Sequence, residues 1–144
     1  MPSAQVEAVR RNLNSVSKNW AFAGDIALIG HKFAMGLADP RKPFKFKEIH
    51  VVVPKHWLYD FHEALFKKGY LVNTTKSGRR FIHFKNPGQK RPLVLYVQNE
   101  MPRTVSYVPG NRLVALDGVS NGSPEMRRLK NFHRFIHNSQ PNVN

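Results

Sequence analysis

The chain contains no cysteine, which excludes disulfide bonds and cysteine-based zinc sites. Acidic residues are scarce: nine Asp+Glu stand against 23 Lys+Arg, a formal charge of +14 over 144 residues. No apolar run approaches the ~18–20 residues of a membrane helix, so no transmembrane segment is expected. The first residues lack the charged start and apolar core of a signal peptide, so an intracellular protein, cytoplasmic or nuclear, is expected. No internal repeat, Walker loop, Gly-x-Gly-x-x-Gly turn or Gly-x-Ser-x-Gly elbow occurs.

What is present suffices for a core. The hydrophobic fraction is 41%, with ten phenylalanines, which argues for one folded domain over residues 1–137 and a frayed tail over 138–144. The positive excess creates a broad potential whose commonest partner is a phosphate polyanion, RNA or DNA. An acidic protein or an anionic membrane surface comes next.

The chain is organised around residues 20–53. Trp20–Ala23 is a short apolar run that stops at Gly24-Asp25. Glycine permits a sharp turn there, and Asp25 is placed to cap a helix whose apolar stripe is Ile26, Ile29, Phe33 and Leu37. Gly36 and Asp39-Pro40 close that helix. Phe44–Val53 then alternates, with Phe44, Phe46, Glu48, His50 and Val52 on one face. Two polar, metal-competent side chains thus sit side by side.

This strand, Gly turn, helix and strand with a polar-x-polar pair resembles the polymerase-beta-like nucleotidyltransferase superfamily, particularly its small stand-alone and toxin-type members. The resemblance covers roughly residues 17–98. It implies an α+β fold, a small mixed β-sheet with helices packed on it. Gly24 and Asp25 stand where the family's Gly-Gly or Gly-Ser faces the nucleotide. Glu48-Ile49-His50 stands where Asp-x-Asp would hold divalent metal, making Glu48 and His50 the implied catalytic and metal-binding pair. The cofactor implied, if the site is catalytic, is Mg or Mn. His50 replaces one carboxylate, and Leu93–Val97, where a third acid would be expected, offers none. Magnesium needs clustered hard oxygen ligands. The expectation is therefore a non-catalytic scaffold, a pseudoenzyme without cofactor, whose basic surface binds nucleic-acid phosphates. An active nucleotidyltransferase with an altered metal site is one alternative, and a structural or partner subunit of a larger assembly is another.

Elsewhere, Ser3 and the face Val6, Val9, Leu13 and Val16 predict an N-terminal helix over 3–18. Pro54 is read as the start of a second helix, with Trp57, Leu58, Phe61, Leu65 and Phe66 on its apolar face and Gly69 at its end. Tyr70–Thr75 and Arg79–Lys85 read as a hairpin joined by Ser77-Gly78, with glycine at positive φ. Asn86-Pro87-Gly88-Gln89 reads as a type II turn, and Pro92–Gln98 as a buried strand. Between Glu63 and Glu100 lie eight cations and no acid: Lys67, Lys68, Lys76, Arg79, Arg80, Lys85, Lys90 and Arg91. They form the predicted nucleic-acid surface, with Phe81, His83 and Phe84 interleaved. Residues 101–123, including Pro109-Gly110 and Asn121-Gly122, read as turns around one strand, Arg112–Leu116. Ser123-Pro124-Glu125 opens a last helix to His137 that buries Met126, Leu129 and Phe132, with Arg127, Arg128, Lys130 and Arg134 outside. His133 and His137, four apart, read as part of this solvated basic face.

Overall fold

Six consecutive buried residues, Ile49–Pro54, form β2, the middle strand of a seven-stranded sheet. The computed structural model describes residues 4–39, 41–43, 45–108, 111–119 and 122–139. β2 pairs antiparallel with β1 (Ala21–Ala23) and parallel with β5 (Leu93–Gln98). β4 (Phe81–Lys85) and β3 (Leu71–Val72) extend the sheet beyond β5, each antiparallel to its neighbour. On the other side, β7 (Asn111–Val114) runs parallel to β1, and β6 (Thr104–Val108) antiparallel to β7. With α1 (Ala4–Asn14), α2 (Gly24–Ala34), α3 (Leu58–Lys67) and α4 (Pro124–Ser139), this is one small α+β domain with a mixed sheet, as the sequence led us to expect.

Pleating divides the strand side chains between two packed sets. Phe22, Ile49, Val51, Val53, Leu93, Leu95 and Leu113 join the main core with Val6, Val9 and Leu13 of α1 and Phe61 and Leu65 of α3. Ala21, Ala23, Val52 and Val114 form a second cluster with Met126 of α4. Among the described residues no helix is long and apolar enough to cross a membrane.

Several local expectations change. Regular pairing in the central strand begins only at Ile49, five residues later than alternation suggests, and Phe44 lies outside the described residues. α2 buries Ile26 of the predicted stripe together with Ala27, Leu28 and His31, whereas Phe33 and, beyond the helix end, Leu37 are 37% and 53% exposed. Gly30 explains the choice, since a Cβ there would lie 2.4 Å from Leu113 Cδ1. Gly36 ends α2 at φ +70 and Gly69 follows α3 at φ +92, each with the paired reversed hydrogen bonds of a Schellman motif. Pro54 closes β2 and leads into a 3-10 turn, Lys55–Trp57, before α3 begins. Phe66 proves exposed.

The hairpin is shorter than expected, with only Leu71–Val72 paired to β4. Neither Gly78 nor Gly88 takes a positive φ, so the 86–89 turn is not type II. Gly78 is needed for space instead, because a Cβ would lie 2.4 Å from the Phe81 ring. Thr104–Val108, read as turn, forms β6. α4 starts as predicted, with the Ser123 hydroxyl accepting from the Met126 amide, and it continues through Ser139. Ser3, Pro40, Pro109, Gly110, Asn121, residues 140–144 and the His137 side chain lie outside the described residues.

Candidate metal centre beside a basic groove

Register builds the site. His83 of β4 and His50 of β2 are both directly opposite Val94 of β5, and His50 is opposite Ala23 of β1. Directly paired residues share a sheet face, so the two imidazoles flank Val94 in one row. Glu48, just before β2, bridges them: its Oε1 lies 3.3 Å from His50 Nε2 and its Oε2 lies 3.1 Å from His83 Nε2. The His50 hydrogen bond holds the Glu48 carboxyl below its usual value, against the opposing effect of burial.

Glu125, in the first turn of α4, approaches the cluster. Its Oε2 is 3.8 Å from His50 Nε2, its side chain is 5% exposed, and His50 is fully buried. Ligand atoms of Glu48, His50 and Glu125 all lie within 4.8 Å of one another. Among the described residues, Glu125 Oε2, His50 Nδ1 and His83 Nδ1 are buried without a hydrogen-bond partner. The Tyr96 ring centroid is 5.3 Å from that of His50, and burial pushes its phenol up.

Gly24, at φ +59, packs against His50; a Cβ there would lie 3.0 Å from His50 Cγ. The turn therefore serves both backbone geometry and contact with the imidazole. Asp25 follows, but it does not cap α2, whose N-terminus has no side-chain cap hydrogen bond. Its buried carboxylate instead accepts two hydrogen bonds from Arg128 of α4, at 3.1 and 2.9 Å. Arg128 is thus drawn off the solvated outer face expected for it. The same guanidinium lies 3.7 Å from Glu125 Oε1, linking the cluster to its surroundings.

Beside that pair runs a groove of about 570 Å³, bordered by Asp25 and five cations: Lys32, Lys45, Lys47, Arg91 and Arg128. Aromatic faces hold two of them in place, Lys32 Nζ 5.5 Å from the Phe132 centroid and Arg91 Cζ 5.6 Å from that of Phe46. Lys45 and Lys47 are exposed and alternate with Phe46. Only the pattern Lys45-Phe46-Lys47 could have signalled this surface in the sequence.

The predicted residues separate. Glu48 and His50 meet as expected, and Gly24 touches His50. The eight predicted cations do not form one edge. Lys76, Arg79 and Arg80 lie in the loop between β3 and β4, at one end of β4. Lys67, Lys68, Lys85, Lys90 and Arg91 gather toward the other, a strand length of about 15 Å away. Phe84 is core and Phe81 packs on Tyr96. His83 and Glu125 were missed as site residues, because register and the return of α4 are needed to bring them in.

A two-magnesium centre does not fit these residues. It would need carboxylates around the cluster, but His50 occupies one ligand position, Val94 stands opposite it on β5, and Asp25 is engaged by Arg128. No protein-family model, curated protein or solved structure matches this chain.

Proposed function

We propose that the chain is a basic module that binds nucleic-acid phosphates, and that the groove between α2, residues 45–47 and α4 is its contact surface. The observation that carries this reading is the groove's charge: five cations around one carboxylate, itself already bound to Arg128, in a chain of net +14. Exposed Lys45 and Lys47 together with half-buried, ring-held Lys32 and Arg91 suit a phosphate backbone more than a base edge. Binding then carries little sequence preference.

The test is fluorescence anisotropy with labelled RNA and DNA oligonucleotides. Joint reversal of Lys32, Lys45 and Lys47 to Glu should weaken binding by about a hundredfold, and reversal of Lys76, Arg79 and Arg80 by much less. Equal losses would refute a localised groove. Nucleotidyl transfer is the second reading, favoured by the strand, Gly24, helix, strand order with Glu48 beside His50. Metal-dependent transfer abolished in Glu48→Gln would establish it.

A further inference from the structure

We infer that Glu48, His50 and Glu125 form a mononuclear site for a divalent first-row transition metal, of the Zn²⁺ class and not Mg²⁺. The inference is independent of the phosphate-binding reading. Three donors from two separate elements converge on one point, with Nε2 of His50 at 3.3 Å from Glu48 Oε1 and 3.8 Å from Glu125 Oε2. Metal bonds of about 2.0–2.2 Å place neighbouring ligand atoms roughly 3.0–3.6 Å apart, so small side-chain adjustments close the shell.

A second observation points the same way. Glu125 is 4% exposed, yet its Oε2 faces His50 with no hydrogen-bond partner among the described residues. A buried carboxylate oxygen left unpaired is costly, and a cation at that point would satisfy it. The surroundings are already organised as an outer shell. His83 donates to the second oxygen of Glu48, and Arg128 approaches the second oxygen of Glu125.

The donor set selects the ion. One imidazole with two carboxylates suits zinc, iron(II) or manganese, whereas magnesium prefers oxygen ligands throughout. The departure of this site from an all-carboxylate centre is thus a change of metal as well as a loss of ligands. Three protein donors leave a position that a water would fill in a four-coordinate shell.

The experiment is calorimetric titration of the chelator-treated full chain with Zn²⁺, Mn²⁺ and Mg²⁺, with Co²⁺ absorption as a spectroscopic readout of an imidazole-containing site. The expected result is saturation at about one Zn²⁺ per chain and a rise in melting temperature. Glu125→Gln and Glu48→Gln, which preserve shape, should each weaken Zn²⁺ by tenfold or more. Asp117→Asn, which removes a half-exposed carboxylate paired with Arg103 outside the cluster, should leave Zn²⁺ affinity within about threefold. Absence of saturable Zn²⁺ binding would overturn the inference. So would Mg²⁺ binding as tightly as Zn²⁺, or Zn²⁺ binding unchanged in both glutamine variants.

Discussion

Gly24→Ala tests how closely the turn before α2 is fitted to the cluster. Two terms add. An alanine at φ +59 carries a backbone cost of about 1–2 kcal/mol. Its Cβ would also lie 3.0 Å from His50 Cγ and 3.1 Å from His50 Cβ, and His50 is fully buried in the central strand with nowhere to retreat. Overpacking of that kind costs about 1–3 kcal/mol more. Gly36→Ala provides the control, because Gly36 has φ +70 but an added methyl group there would meet nothing within 4 Å. At about 3 °C per kcal/mol, Gly36→Ala should lower the melting temperature by about 3–6 °C, and Gly24→Ala by a further 3–9 °C or so. Differential scanning calorimetry separates the two. Equal losses would show that the imidazole does not rest on the turn, and the geometry argued for the site would be wrong.

Arg128→Met strips the buried Asp25 carboxylate of both hydrogen bonds, and because the arginine is itself half-exposed the expected loss is about 1–3 kcal/mol. Adding Asp25→Asn should recover part of it in urea denaturation; an unchanged stability in the single variant would refute the pairing. Burial lowers the His31 value from 6.5, and the His50 hydrogen bond lowers that of Glu48 from 4.5. A folded-state value below the unfolded one gives stability that is complete at higher pH and lost on acidification. The melting temperature should therefore fall from about pH 6.5 downward and again below about 4.5, the second step being smaller in Glu48→Gln, with Glu7 and Asp39 supplying the remainder. A flat profile between those values would exclude the His31 contribution. Gly30→Ala should destabilise by about 1–2 kcal/mol despite better helix propensity, since the new methyl meets Leu113 at 2.4 Å. A stabilised variant would mean that Leu113 rotates clear.

The central unit was legible because its signals are local. Gly24 before Ile26, Gly36 after the helix and the valine run of β2 each express a nearby backbone requirement. The alternation of Phe44 to His50 correctly paired Glu48 with His50, although regular strand begins only at Ile49. What failed was everything that register decides. His83 looked like part of a basic hairpin until its pairing with Val94 placed it beside Glu48. Glu125 looked like a helix-start acid, a role that hid its approach to His50 from 75 residues away in sequence. Arg128 joined the outer face on periodicity alone, because no pattern within α4 reveals Asp25 across from it. The strand Thr104–Val108 went unread because turn residues surround it, and the Lys45-Phe46-Lys47 wall of the groove because strand alternation favoured Phe44, Phe46, Glu48 and His50.

The most direct test of the phosphate-binding account is the salt dependence of oligonucleotide affinity for the wild-type chain and a Lys45→Gln/Lys47→Gln variant. Each phosphate contact contributes close to one unit to the slope of log K against log salt. A steep wild-type slope that falls by about two units in the variant is the predicted result. A shallow wild-type slope, or one that the variant leaves unchanged, would contradict the account.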